Sequence, residues 1–592
     1  MRLGVDTGGT FTDAVAADGR IVKVLSTRDD PARAVAEAAR LLGEQVDVLA
    51  HGTTVATNAL LERRGAVVAL VTNRGMADVI EIGRQDRPSL YDPFADRPAP
   101  LVERALRLEV GGRLGPDGAE IEPVDVGGLL PLPDGVEAVA VCLLHSDLDA
   151  SHERTISDVV AAAGYDVTCS VDVSPEFREY ERTLTTVVNA YLRPACRTYL
   201  GRLAELADRV LVMTSAGGLL PVEVGAELPA HLLLSGPAGG VRAAAAIAAA
   251  NGRPDAITFD MGGTSTDVCL VQGGLPEPAP GREVGGFPIR LPSIDVHTIG
   301  AGGGSIARID PGGALVVGPE SAGADPGPAC YGRGGSAPTV TDADLVLGRI
   351  PAGQVLPGLG ALDLDAARVA LDRAGVTAEG VVTVVEAAME QALRAVSVSR
   401  GIDPRGLALV AFGGAGPLHA CGLADALDMT CVIVPARAGV LSAVGILGAP
   451  EQRTLVRSWP TPSSIVGLDA ALGALADEAA ALVGDGAEVT TGLDVRYAGQ
   501  SHELTVARID DFHAEHAKRN GYARPDAPLE VVAVRASASL PTPGVSPLDL
   551  PLVERAGASG PAVLAEPDCT IWVPRGWTAR PGAAGALVLE RR

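Results

Sequence analysis

Two short stretches of this chain are near copies of one another, and they limit what it can fold into more than any other feature. Asp6–Asp13 reads DTGGTFTD and Asp260–Asp267 reads DMGGTSTD, agreeing at six of eight positions. Apolar runs flank both, Leu3–Val5 and Ala14–Ala17 around the first, Ile257–Phe259 and Val268–Val271 around the second. Strand, tight Gly-Gly turn, strand is the reading: a β-hairpin with bare backbone at its tip. Glycine has no Cβ, so consecutive N–H groups can close on an anion. Threonine hydroxyls add donors, and an aspartate at a strand end can hold a hydrated divalent cation beside phosphates. A single such hairpin is an ordinary turn. Two of them, facing each other, would clamp a polyphosphate and its metal from both sides. The candidate phosphate contacts are Gly8, Gly9, Thr10 and Thr12 with Gly262, Gly263, Thr264 and Ser265. Asp6 and Asp260 are expected to hold Mg²⁺, through water. Asp13 and Asp267 either orient loops or water in catalysis or serve as a hairpin salt bridge or turn cap.

At 592 residues the chain is too long for one core, and ~150 residues per domain suggests about four units. The net charge of −25 argues against nucleic-acid and anionic-membrane partners, so an anionic ligand would depend on local donors of the glycine-loop kind. No uncharged apolar run is long enough for a membrane span. The first residues enter a strand at once, unlike a signal peptide. Eight scattered cysteines without a C-x-x-C pair read as reduced, packed thiols of a cytoplasmic protein. The only lysines are Lys23 and Lys518. Neither stands in a G-x-x-x-x-G-K-[ST] setting, which excludes a P-loop, and neither suits a Schiff base or a biotin attachment.

Along the chain, Pro31–Leu42 reads as a helix. The Val46–Ala50 strand delivers HGTTVATN to a helix start, a junction where α/β sheets commonly meet ligands. His51, Thr53, Thr54 and Asn58 are the substrate candidates there; capping by threonine and a structural histidine are the alternative. Val67–Thr72 and Val136–Leu144 read as strands. The proline- and arginine-rich 84–113 stretch reads as a lid or a long surface connection. Ser174-Pro175 is expected to open a long helix as N-cap and first helical residue, and Pro194 to kink or end it. Ser235, Gly236, Gly239 and Gly240 precede or open an alanine-rich helix, an anion-site pattern. Gly302, Gly303 and Gly304 form the densest glycine loop. Gly413, Gly414 and Gly416 turn the Leu407–Phe412 strand into a helix, where a nucleotide's adenine and ribose could lie. Beyond Glu451 the texture changes to helix Leu468–Leu482 and alternating β segments, read as a separate α+β domain.

Together VDTGGTFTD, HGTTVATNAL, REYERTLTTVVNAYLRP, SGPAGGV, DMGGTSTDV, GAGGGS, ADPGPACYGRGG and FGGAGPLHA resemble the ATP-binding A subunit of the hydantoinase/5-oxoprolinase family. The resemblance runs from Met1 to about Gly448 and weakly beyond. It implies an α/β fold of the duplicated actin-like, sugar-kinase-like kind: two ribonuclease-H-like halves around a nucleotide cleft plus a small C-terminal α+β domain, with divisions at 1–190, 191–450 and 451–592. It also makes Gly413–Gly416 the adenosine loop, names ATP and Mg²⁺ as cofactors, and implies a hetero-oligomer with a B-type subunit holding K⁺ or a transition metal. The implied activity is ATP-dependent opening of a cyclic amide such as 5-oxoproline, a hydantoin or a lactam. The alternatives are a subunit of an ATP-dependent ketone carboxylase and a regulatory ATPase. The chain is shorter than typical members after residue 450.

Overall fold

The computed structural model describes residues 1–592 except 28, 29, 44, 357–359, 543 and 592. Both expected hairpins form. Arg2–Thr7 pairs antiparallel with Phe11–Ala16, setting Asp6 opposite Asp13. Ala256–Met261 pairs with Thr266–Gln272, setting Asp260 opposite Asp267. The same bond closes both tips, Gly8 N–H to Phe11 O at 3.0 Å and Gly262 N–H to Ser265 O at 3.1 Å.

The halves then repeat one plan. Each hairpin's first strand runs parallel to a second strand, Val48–Thr53 or Ala408–Phe412, and that to a third, Arg209–Met213 or Cys431–Val434. An antiparallel strand, Ile21–Leu25 or Val296–Ile299, lies outside each hairpin. The fold is therefore the duplicated α/β architecture that the resemblance implies. The parallel strands Ala408–Phe412 and Cys431–Val434 are apolar and wholly buried, as strands covered on both faces are.

A pair of helices ties the halves together. Leu441–Leu447 packs on both strand Arg2–Thr7 and helix Gly236–Ala250. Glycine permits this closeness: a Cβ on Gly4 would stand 2.3 Å from Ala443 O, and one on Gly445 1.9 Å from Gly239 O.

Sheet membership cuts across the divisions at 190 and 450. Strands Glu451–Ser458, Glu488–Tyr497, Leu504–Val506 and Leu529–Leu540 extend the first half's sheet to ten strands. Trp577–Pro581 and Leu587–Arg591 join the second half's sheet, Leu587–Arg591 pairing with Cys431–Val434. A further five-stranded sheet containing Val68–Asn73 and Ala138–Val141 is inserted in the first half. The 84–113 stretch is irregular up to the short helix Arg104–Leu106, then forms strand Arg107–Leu114.

The long helix departs from expectation at two points. It spans Glu179–Ala204 and starts after Arg178, whose φ is 79°. Ser174 does not cap it, because its hydroxyl donates to Arg290 O at 2.9 Å. The helix also continues through Pro194. Near that proline, which has no N–H to offer the Ala190 carbonyl, the Tyr191 carbonyl accepts the Ala66 N–H at 2.9 Å and so ties the helix to neighbouring chain.

Candidate functional site

Both hairpin tips, both glycine turns and the C-terminal segment meet around one cavity of ≈ 330 Å³. Asp6, Gly8, Gly9, Thr10 and Asp13 line it from the first half, and Asp260, Gly262, Gly263, Thr264, Ser265 and Asp267 from the second. Gly9 and Gly263 stand exposed at the tips. They approach one another closely enough that a Cβ on Gly263 would lie 3.2 Å from Thr10 Oγ1.

The floor carries four carboxylates, and their environment is unusual. Asp6 Oδ1 is buried without a hydrogen-bond partner. Glycines make room for it: a Cβ on Gly52 would come within 2.9 Å of that oxygen, and one on Gly236 within 3.5 Å. On the other half, a Cβ on Gly413 (φ +79°) would fall 2.4 Å from Asp260 Oδ1. Burial, then the neighbouring Asp13 and Asp267, push the Asp6 carboxyl up to about 8, with Lys23 opposing. Burial and the other three aspartates push Asp260 well above the usual carboxylate range. Burial raises Asp267 to about 6 against a hydrogen bond from Thr298. Like charges confined this way favour protonation or a bound cation. The residues therefore fit a divalent ion: oxygen donors in excess, one of them orphaned, between two phosphate-sized cradles.

Lys23 is the countercharge that motif reading missed. Its Nζ lies 2.7 Å from Asp13 Oδ1 and donates to Gly439 O at 3.3 Å. The signal was present in the sequence: a rare lysine in an apolar strand running back past Asp13. In the register it faces Asp13, as Thr298 faces Asp267 in the second half. The salt-bridge reading of Asp13 is thus realised, and its counterpart Asp267 accepts a hydroxyl instead.

Gly303 and Gly304 line the cavity by lying flat on the second tip. Gly303 N–H donates to Gly262 O at 3.0 Å, and Gly304 N–H to Gly263 O at 2.6 Å. Gly302 packs on Gly263–Thr264 from behind, where a Cβ would meet backbone at 2.8 Å. Gly413 and Gly414 line the cavity, while Gly416 sits in the first turn of helix Gly416–Ala426, buried.

Several candidates lie elsewhere. Thr12 is fully buried, its hydroxyl 3.1 Å from Ser26 Oγ. His51 is fully buried, with Nε2 2.7 Å from the Tyr199 hydroxyl, and burial lowers its imidazole to about 4. Thr53 is buried beside it, and its hydroxyl accepts the Val55 N–H. Of that group only Thr54 lines the cavity; exposed Asn58 donates to Thr54 Oγ1 at 3.3 Å. Ser235 is buried against Thr53 O. Gly236 reaches the cavity with Pro237, whereas Gly239 and Gly240 serve helix packing, a Cβ on Gly240 meeting Phe412 at 2.6 Å.

Two further walls carried no recognised motif. Glu566, Asp568, Cys569 and Thr570 come from the far C-terminal region; Asp568 Oδ2 accepts the Gly439 N–H at 2.8 Å. On another wall, helix Val340–Val346, started by a Thr339–Asp342 capping box, presents Thr341 and Asp344. Asp344 Oδ2 lies 3.2 Å from His419 Nε2, His419 Nδ1 lies 3.0 Å from Glu386 Oε1, and Arg349 Nη1 lies 2.9 Å from Glu386 Oε1. Burial alone would lower the His419 imidazole, but Asp344 and Glu386 outweigh it and hold it at about 9.

Among the described residues, no helix is long and apolar enough to cross a membrane, and all eight cysteines are free and buried. Comparison with known proteins agrees with the geometry. A model of the hydantoinase/oxoprolinase N-terminal region matches residues 2–164, and a hydantoinase/oxoprolinase model matches residues 182–453. Caprolactamase subunit alpha of Pseudomonas jessenii is 36% identical over 95% of this chain and 90% of its own. The crystal structure of the ATP-dependent caprolactamase from that organism superposes with a TM-score of 0.86 at 32% identity, covering 100% of both chains. 5-Oxoprolinase 1 of Arabidopsis thaliana is 33% identical over 75% of this chain but only 41% of its own length. A nucleotide-free acetone carboxylase shares the fold, with a TM-score of 0.78 at 24% identity over 100% of this chain and 99% of that one. Duplicated hairpins around one cavity, together with family models spanning most of the sequence, place this chain in the hydantoinase/oxoprolinase family.

Proposed function

We infer that this chain is the ATP-using subunit of an enzyme that activates a cyclic amide for hydrolysis. The observation that carries this reading is the convergence of both hairpin tips and four aspartates on one cavity. An amide carbonyl is a poor electrophile. Transfer of the γ-phosphoryl group to its oxygen, with ADP leaving, converts that oxygen into part of a leaving group. Water then adds at the carbon and the ring C–N bond breaks, the nitrogen taking a proton. The resulting acyl phosphate hydrolyses to carboxylate and inorganic phosphate.

The chain's part in this is positioning and charge neutralisation, as in phosphoryl transfer generally. The amides and hydroxyls of Gly8–Thr10 and Gly262–Ser265 hold the β- and γ-phosphates from two sides. Asp6 and Asp260 would hold Mg²⁺, which would supply neutralisation of phosphate charge. Lys23 pins Asp13 by their ion pair, and Asp267 is left to orient water or a loop. Gly413 and Gly414 cover the nucleoside. The names caprolactamase and 5-oxoprolinase support a lactam-type substrate, and the designation of that caprolactamase chain as a subunit supports a B-type partner that completes the amide site.

The test is Asp260→Asn in the chain assembled with its partner. Lactam-dependent ADP release should fall by about two orders of magnitude or more, as expected for losing a group that stabilises transition-state charge, with the fold unchanged by circular dichroism. Undiminished turnover would remove the metal role. Incorporation of labelled bicarbonate into a ketone, without lactam-dependent ADP release, would replace hydrolysis by carboxylation.

A further inference from the structure

The cavity at the hairpins leaves the REYERTLTTVVNAYLRP segment unused. Its first residue, Arg178, lines a second cavity of ≈ 430 Å³ together with Arg84, His145, Trp459, Pro460 and Pro462. None of these lines the nucleotide cavity. Two loops begin at the second cavity's rim, 85–96 after Arg84 and 460–467 after Trp459. They carry the four most exposed large apolar side chains among the described residues: Tyr91 at 95%, Phe94 at 89%, Val466 at 84% and Leu90 at 80%. Both loops are held in shape. Arg97 Nη1 donates to Glu81 O at 3.2 Å and Ile82 O at 2.7 Å, closing the base of the first. Ser89 Oγ accepts the Tyr91 and Asp92 N–H groups at its tip. Trp459 Nε1 donates to Ser464 O at 2.7 Å across the second. The backbone is strained here as well: Gln85 has φ 60°, His145 61° and Arg178 79°. Strain of this kind persists only where the surrounding structure enforces it, commonly at ligand clamps and switch regions.

We propose that this face docks the B-type subunit: Tyr91 and Phe94 enter apolar hollows of that subunit, and one of its side chains fills the second cavity. The proposal rests on the reading of this chain as one subunit of an amide-activating enzyme and deepens it by naming where the partner sits. The area is of the right size. Tyr91 and Phe94 alone offer on the order of 400 Å², half of the roughly 800 Å² that each side gives to a stable interface, and Leu90, Ile465 and Val466 add to it. Exposed apolar patches on that scale mark interaction sites. Tryptophan and arginine at the cavity's rim are the residue types that dominate binding energy at the centre of an interface. Charge narrows the choice of occupant. Between Arg84 and Arg97 three arginines and three aspartates cancel, so the face itself is neutral. The whole chain carries −25, which opposes an anionic membrane and equally opposes a second copy with the same charge.

The experiment titrates the purified B-type subunit onto the full chain by sedimentation velocity. It compares wild type, the double variant Tyr91→Ser with Phe94→Ser, Val466→Asp and, as a control, Leu552→Ser, exposed beside Pro551 and Arg437. Both loop variants should weaken association at least thirty-fold, the effect of losing a central anchor, and Leu552→Ser should leave it unchanged. ATP binding by the chain alone should match wild type in all three, since none of the substituted residues lines the nucleotide cavity. Raising the concentration of the B-type subunit should restore lactam-dependent ADP release to the loop variants. Wild-type association in both loop variants would overturn the docking surface and leave the ATP-using subunit standing. A chain that self-associates through these loops, and still binds the B-type subunit once they are substituted, would also overturn it, the occupant then being a second copy. Wild type that opens the lactam with no second subunit would overturn the partner reading and the docking surface together.

Discussion

Individual side chains divide the cavity between an end at the hairpin tips, where four aspartates gather, and an end where Asp344, His419, Glu386 and Arg349 pair acid with base. Lys23 offsets part of the charge of the four aspartates: it is mostly buried, 16% exposed, against Asp13 at 17%. Removing one member of such a pair strands the other, at a cost of about 3–5 kcal/mol. Lys23→Met should lower the denaturant midpoint accordingly, and Mg²⁺ with ATP should recover more stability in the variant than in wild type, because the added ion takes over part of the lost countercharge. His419 gives a pH signature. Its folded value of about 9 lies above the ordinary 6.5, so the folded state binds the proton more tightly. Its contribution is fully present below pH 6.5 and is lost as pH rises through about 9. The stability gap between wild type and His419→Gln, followed by urea titration, should therefore shrink across that window. A gap that widens with pH would show that His419 is neutral in the fold.

Elements explain why some of the site was legible in the sequence and some was not. Hairpin tips are local: Gly-Gly between apolar runs specifies the turn, the register and the facing of Asp6 on Asp13, and both copies could be read directly. Strand-to-helix junctions are less informative. The HGTTVATN segment has one signature whether a side chain points at a ligand or into the sheet, and His51 and Thr53 point inward while Thr54 faces the cavity. The glycines of SGPAGG pose the same ambiguity: Gly236 is at the cavity, but Gly239 and Gly240 exist for helix contact. Lys23 left a signal, a rare lysine on the strand that follows Asp13, whereas Thr298 and Asp344 meet their partners across strands or between distant helices, at separations that carry no pattern. The helix pair Gly236–Ala250 and Leu441–Leu447 yields the sharpest packing prediction. Gly445→Val would drive its Cβ into Gly239 O, already 1.9 Å away for an ideal Cβ. The cost should reach about 3 kcal/mol, the upper end for overpacked sites, read as a lowered melting temperature. A neutral outcome would mean that the two helices separate freely.

Across the whole molecule, the residues after 450 finish both sheets and one wall of the cavity instead of standing apart. Strand Leu587–Arg591 covers the edge of Cys431–Val434, and Trp577, 2% exposed, packs into the second half's core. A chain cut at Glu451 would expose that edge, an aggregation template, and should be recovered in the insoluble fraction without ATP binding; a soluble, nucleotide-binding fragment would show that the tail is dispensable. The same arrangement fixes a timetable. Hairpin tips made near residue 10 wait for Glu566–Thr570 to dock beside Gly439 before their cavity has its last wall, so a ligand that needs every wall can seat only after both regions have come together.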